Sequence, residues 1–280
     1  MDKKIFINDI DLSGVAETLL IPLCVRALES QRPDAILKDE KAASLVQQIG
    51  CDPAKILEDI AEESRAARLY LTRQIDLCAQ DFFTRHPQAV VLHIGCGLDC
   101  RFERVDNGSA EWFDLDFPSV IDLRRKLIGG GEEGRYHLLA GSVLENGWVE
   151  AVKTHPGRPV LLLAESVLMY LAEAQVKTLF GTILGQFPEA ELVFDAFSPF
   201  LLWANNLRVK RTGVGTPAFW GVKRAKDLES WHTGIRLLDT WYPYFFPGPR
   251  LAKWRAMSFI PGMKNIWRIF RFRLGQAAVP

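Results

Sequence analysis

From Pro87 onward the chain alternates between short continuous apolar runs and stretches with a helical period. The runs are Val90-Val91-Leu92-His93-Ile94, Trp112-Phe113-Asp114-Leu115, Tyr136-His137-Leu138-Leu139, Val160-Leu161-Leu162-Leu163-Ala164 and Leu192-Val193-Phe194. Near-continuous apolar segments of this length are what strands covered on both faces of a parallel sheet require. Between them Pro118 to Ile128 and Glu173 to Phe187 read as helices. Phe187-Pro188 ends the second, since proline disfavours helical backbone in the residue before it. Strand alternating with helix predicts an α/β, doubly wound sheet.

Upstream, Thr18 to Thr84 reads as helical. Ala54 to Phe83 sets Ile56, Leu57, Ile60, Ala67, Leu71, Ile75 and Cys78 at three-to-four-residue intervals, with Asp52 as N-cap and Pro53 in the first turn. Downstream, Leu201 to Phe246 is aromatic-rich with little period, and Phe270, Phe272 and Leu274 alternate with Arg271 and Arg273, as in a strand with one buried face.

Charge narrows the function classes. The 280 residues hold 34 Lys or Arg against 34 Asp or Glu. This balance argues against a protein whose main partner is nucleic acid. The last 41 residues nevertheless carry seven Lys or Arg and no acid. Of the two readings, an anionic-partner patch and the solvated face of an edge strand, the second is preferred. No apolar run reaches the roughly 18 residues of a membrane span, and Met1 to Asp11 lacks a signal-peptide core. Five cysteines (Cys24, Cys51, Cys78, Cys96, Cys100), odd in number and without CxxC spacing, suggest free thiols in a cytoplasmic setting and no metal site.

The chemistry concentrates after the first strand. Val90 to Gly97 is a strand running into a Gly95-Cys96-Gly97 turn, and Asp114 and Asp116 close the next strand. Glycines there let a ligand approach the backbone, and an acid at this spacing commonly accepts hydrogen bonds from a ribose diol. A dinucleotide fingerprint would place a third glycine at position 100 beneath a pyrophosphate. This chain has Asp99 and Cys100 instead. A carboxylate repels phosphates but suits an ammonium and a sulfonium, so S-adenosylmethionine (SAM) fits and a nicotinamide cofactor fits badly. Asp99 has a second reading, as a cap of the following helix. Arg101 and Arg104 are surface cations or partners of Asp99, and Met169 and Tyr170 are core.

The segment His93 to Val105, the segment Trp112-Phe113-Asp114-Leu115-Asp116-Phe117-Pro118, the segment Ala164-Glu165-Ser166-Val167-Leu168-Met169-Tyr170-Leu171 and an N-terminal stretch from Glu17 to Ala42 resemble motifs of the leucine carboxyl methyltransferase superfamily, in its polyketide O-methyltransferase branch. The likeness runs over about residues 12 to 200. It implies a class I methyltransferase, Rossmann-like fold: a helical segment over 1–85, a SAM-binding core over 86–200, a substrate cap over 201–246 and sheet-completing strands over 247–280, in one compact domain. By position it implies that Gly95 and Gly97 lie against the cofactor, Asp116 holds the ribose, Ser142 and Val143 flank the adenine, Glu165 sits near the methionine amine, and Arg68, with Arg65 as fallback, pairs with the carboxylate. Cys100, Ser142, Ser166 and Thr72 depart from the family's usual Thr, acid, Gly and Asp.

The expected reaction is SAM-dependent O-methylation of a small, aromatic or polyketide-like acceptor, leaving S-adenosylhomocysteine. Methylation of a protein C-terminal carboxylate and non-catalytic SAM binding are the alternatives. A carboxylate acceptor, with a pKa near ~4, needs no base, whereas a phenol, near ~10, benefits from one. His93 reads as a core residue, His86 and His155 as loop residues, and His232 as a weak candidate base. Trp203, Phe219, Trp220, Trp231, Trp241, Tyr242 and Tyr244 are candidates to line an acceptor cap or to form its own small core.

Overall fold

In the computed structural model, residues 16–129, 134–213, 215–243, 246, 248–260 and 262–275 are described, with side chains from residue 19 onward. The readings made for Met1 to Asp11 and for Tyr244 lie outside them. Each apolar run becomes a strand: β1 (Val90–Ile94), β2 (Glu111–Asp116), β3 (Tyr136–Ala140), β4 (Val160–Ala164) and β5 (Glu189–Phe197). They pair in parallel, and β6 (Ile235–Trp241) and β7 (Trp267–Gly275) complete a seven-stranded sheet ordered β3-β2-β1-β4-β5-β7-β6, with β7 antiparallel to both its neighbours. The strand order reverses beside β1, which places the ligand crevice of such a sheet at the carboxyl ends of β1 and its neighbours.

Alternation along the strands feeds two apolar layers. Val90, Leu92, Ile94 and Leu162 pack with Val176, Leu179, Phe180 and Ile183 of α8 (Glu173–Gln186). Val91, Leu161, Leu163 and Val193 face Leu71, Ile75, Cys78 and Phe82 of α4 (Glu62–Arg85). A third cluster joins α1 (Ala16–Ser30) and α2 (Glu40–Ile49) to Leu98 and Cys100, so the N-terminal helices sit directly on the glycine turn. Asp39 caps α2 by accepting from the Ala42 N–H, and Gly50 ends it in the left-handed conformation.

Three readings are corrected here. The helix expected over Ala54 to Phe83 is broken: Asp52 caps a short α3 (Pro53–Ile56) and α4 starts afresh at Glu62, so Ile56 ends the first, Leu57 and Ile60 lie between the two, and Ala67, Leu71, Ile75 and Cys78 belong to the second. The supposed cap over 201–246 contains a sheet strand, β6, so the sheet-completing part begins at Ile235 rather than 247. That region showed no period because α9 (Pro199–Thr212) buries none of its residues and β6 is an edge strand. The C-terminal strand β7 is not an edge, and of Arg271 and Arg273 the latter alone is exposed. It lies between β5 and β6, and Arg271 is buried because Glu191 of β5 accepts from it at 2.6 Å and Asp81 of α4 pairs with it at 2.8 Å.

Candidate functional site

The crevice at the carboxyl ends of β1, β2 and β4 is a cavity of about 440 Å³, walled by α1, α4, the glycine turn and the loops after β2, β3 and β4. Gly95 takes φ +63°, and a Cβ there would stand 2.4 Å from Val167 Cγ2, so both backbone conformation and close approach demand glycine. Gly97 takes φ +52° and donates its N–H to Asp116 Oδ2 at 2.8 Å. The other Asp116 oxygen accepts from the Phe117 N–H at 2.8 Å. Burial pushes the Asp116 carboxyl up, against those two amide bonds. Each oxygen keeps a lone pair for a further donor.

Beneath the turn lies an ion cluster that sequence reasoning saw only in pieces. Arg101 is fully buried and donates to Asp76 at 2.7 Å and to Glu165, and lies 3.3 Å from Asp99. Arg104 bonds Asp76, Asp99 and Asp39 at 2.8, 2.7 and 2.7 Å. Arg26 reaches Asp39 at 3.0 Å and the Leu98 carbonyl at 3.1 Å. Thr72, at a position where the family's acid is absent, donates to Glu165 at 2.7 Å. The cluster therefore ties α1, α4, α5 (Arg101–Val105), the glycine turn and the exit of β4 into one body. Three guanidiniums face four carboxylates (Asp39, Asp76, Asp99, Glu165), which leaves one formal negative charge in excess at the cavity floor.

Asp99 thus lines the cavity, where a cofactor-facing carboxylate was expected, but it is not the helix cap of its second reading. It makes no cap: the α5 cap position is Cys100, with no side-chain bond. Nor is it an unpaired anion. Burial raises its carboxyl, but Arg104, Arg26 and Arg101 outweigh that and hold it well below the usual carboxylate range. Of the two readings made of Arg101 and Arg104, the pairing with Asp99 holds: Arg101 is buried, Arg104 is partly buried, and both bridge to that carboxylate. His93 completes the floor: Arg101 donates to its Nε2 at 3.1 Å, so the ring's Nδ1–H donates to Asp114 at 3.0 Å. Burial opposes ionisation of Asp114, yet Arg124 and the bonds from His93 and Tyr136 hold it down to about 2.

Of the other expected residues, Arg68, Ser142, Val143 and Glu165 all line the cavity. Arg68 lies 5.6 Å from the Trp267 ring centre and has no carboxylate partner among the described residues, whereas Arg65 turns away to the Ile60 carbonyl at 2.8 Å. The Ser142 hydroxyl accepts from the Leu144 N–H at 3.2 Å, within its own turn. Ser166, where glycine is usual, adopts φ +55°, held there by its N–H bond to buried Asp195, whose carboxyl burial pushes up to about 6.

His232 is not in the cavity. It accepts from the Gly234 N–H at 2.9 Å, beside Gly275 and the start of β5, at the amino ends of the parallel strands and so across the sheet's length from the cavity. The expected aromatic cap is also elsewhere: Trp220 and Trp231 pack in the core, Trp203 and Phe219 face outward, and none lines the cavity. The aromatic wall is built instead by Phe117, Tyr170 and Trp267. Phe117 follows the ribose acid directly and could have been found by position. Trp267 comes from the last strand and the α1 residues Leu19, Pro22, Val25 and Arg26 from the first helix, contacts that no local pattern signals. Glu111, His137 and His155 bring three possible metal-ligand atoms together, but at the amino ends of the strands, with Arg158 3.7 Å from Glu111.

Comparison with known proteins shows the family and the fold. The family model of the leucine carboxyl methyltransferases matches residues 20–184. The tetracenomycin polyketide synthesis O-methyltransferase TcmP of Streptomyces glaucescens is 32% identical over 270 residues, 94% of this chain and 98% of that protein. An S-adenosyl-L-methionine-dependent methyltransferase of Gibberella zeae, dpfgK, is 30% identical over 81% of this chain and 82% of its own. Among solved structures, a putative methyltransferase of Thermobifida fusca superposes with a TM-score of 0.52 at 17% identity, covering 91% of this chain and 94% of that one. No helix among the described residues is long and apolar enough to cross a membrane.

Proposed function

Because the chain belongs to the leucine carboxyl methyltransferase family and is a SAM-dependent methyltransferase, we propose that it methylates an oxygen of a small, flat, mainly apolar metabolite, a carboxylate before a phenol. One observation carries the reading: a single cavity holds Asp116 at the end of β2 and the unpaired Arg68 over Trp267 at the start of β7, with the glycine turn between them.

The residues fit the cofactor. Asp116 has lone pairs left for ribose hydroxyls, Gly95 and Gly97 admit close backbone approach, and Ser142 and Val143 line the cavity where they would flank an adenine. Arg68 pairs with the cofactor carboxylate, for which a guanidinium is the natural partner. The excess negative charge of the Asp99 and Glu165 cluster favours an ammonium nearby. When bound, the cofactor supplies an already activated methyl group, so the protein's contribution is orientation and exclusion of water.

The choice of acceptor follows from what the wall lacks. The one histidine lining the cavity, His93, spends both ring nitrogens on Asp114 and Arg101. Burial raises the Tyr170 hydroxyl, which keeps it protonated at neutral pH and so unavailable as a base. With Asp99 and Glu165 held in the ion cluster and Asp116 assigned to the ribose, the described lining residues leave no base for the acceptor, and one ionised at neutral pH is preferred. Phe117, Tyr170 and Trp267 give it an aromatic wall, which suits a planar ring such as a polyketide-like acid; the Streptomyces relative is named for polyketide synthesis.

The test is methyl transfer from labelled SAM to a panel of aromatic carboxylic acids, phenols and peptides with a free C-terminus. Turnover of an aromatic acid with a rate flat across neutral pH is expected. Label in the peptides alone would move the reading to a protein carboxylate, and transfer to phenols alone, rising with pH, would contradict the carboxylate preference.

A further inference from the structure

Two of the five cysteines form a pair outside the cofactor chemistry. Cys24 sits midway along α1 and Cys51 in the turn after α2, with their sulfurs hydrogen-bonded at 4.0 Å across 27 residues of sequence. Cys24 is fully buried, whereas Cys51 is partly exposed and the sole cysteine that is not buried. Cys78, Cys96 and Cys100 lie in the interior, where burial pushes each thiol up. An oxidant arriving from solvent therefore meets Cys51 first and finds Cys24 next to it.

The pair lies behind the cofactor wall. Leu19, Pro22, Val25 and Arg26, on the same helix as Cys24, line the cavity, and a Cβ on Gly97 would stand 3.0 Å from Leu19 Cδ2. Leu23, Cys24 and Ala27 face the other way, into the cluster with Leu45, Ile49 and Leu57. Helix α1 is thus a single layer between the thiol pair's surroundings and the cavity.

We propose that Cys24 and Cys51 are a peroxide-oxidisable dithiol whose disulfide draws α1 away from the glycine turn and weakens cofactor binding. The Cys51 thiolate attacks hydrogen peroxide, breaking the O–O bond, forming a sulfenic acid and releasing hydroxide, which takes up a proton to become water. The Cys24 sulfur then attacks the sulfenic sulfur. Its S–H proton leaves with the departing hydroxyl as a second water, and the S–S bond forms. Two thiols and one peroxide give one disulfide and two waters, the sulfurs losing the two electrons that the peroxide gains. The hydrogen bond from Cys24 holds the Cys51 thiol down to about 7, which supplies the thiolate. Bonded sulfurs stand ~2.05 Å apart, against 4.0 Å here. The helix or the Cys51 turn must move to close that gap, and α1 carries the cavity wall with it.

The bond itself is independent of the cofactor reading, while the effect on binding rests on it, so the experiment reads them separately. The whole protein is treated with hydrogen peroxide, digested under non-reducing conditions and mapped by mass spectrometry, and S-adenosylhomocysteine binding is measured by calorimetry before and after. A cross-linked peptide joining Cys24 to Cys51, a roughly tenfold loss of affinity, reversal by dithiothreitol, and neither change in Cys51→Ser are expected. No Cys24–Cys51 cross-link, or an equal loss of affinity in Cys51→Ser, would overturn the proposal. A cross-link with unaltered affinity would overturn its regulatory half. Failure of the reduced protein to bind S-adenosylhomocysteine at all would instead sink the cofactor reading.

Discussion

Arg101→Met lowers the free energy of unfolding by about 3–5 kcal/mol, the cost of removing one partner from a buried ion cluster. The side chain is fully buried and serves Asp76, Asp99, Glu165 and His93 at once, from four different segments of chain. Methionine roughly fills the volume but leaves carboxylates without their cation in a poorly solvated floor. The cluster already has one carboxylate more than it has guanidiniums, so the remaining arginines cannot absorb the loss. Urea denaturation of wild type and variant measures the effect. A change under about 1 kcal/mol would place the cluster in the class of surface pairs that contribute little.

Asp116→Ala weakens S-adenosylhomocysteine binding by about 1–3 kcal/mol, the worth of one or two buried hydrogen bonds, or roughly five- to 150-fold in Kd. Two effects combine. The ribose acceptor is lost, and the Gly97 N–H loses the oxygen that holds it at 2.8 Å. Asp116→Asn separates them, since an amide oxygen still accepts from Gly97 but a single oxygen no longer serves both the turn and a diol. Calorimetry on all three proteins should place Asn between wild type and Ala. Unchanged affinity in a folded Ala variant would mean that the ribose is held elsewhere.

How much of this was legible in the chain differs by region. The five parallel strands were readable because burial on both faces forces continuous apolar runs, and four of the runs locate their strands to within about a residue at each end. The glycine turn and Asp116 were readable because positive φ and a strand-end acid leave a fixed spacing. Other parts depend on contacts between distant segments, to which local pattern is blind. Arg271 looked solvated because its partners, Glu191 and Asp81, lie 80 and 190 residues upstream. The pairing of Asp99 with Arg101 and Arg104 was one of two local readings, but Arg26, which joins them, comes from a helix 73 residues earlier that no local pattern connects to the turn. His232 looked available because nothing local says that β6, which follows it, starts at the amino ends of the parallel strands. The aromatic wall failed for the same reason: Trp267 reaches the cavity only because β7 inserts beside β5.

A crystal structure of the protein grown with S-adenosylhomocysteine is the most direct measurement. The nucleoside should lie over Gly95 and Gly97, its ribose hydroxyls on Asp116, its adenine beside Ser142 and Val143 and its carboxylate on Arg68, with open space toward Tyr170 and Trp267. Density for the ligand at any other place, or a crevice filled by the protein's own side chains, would contradict the assignment.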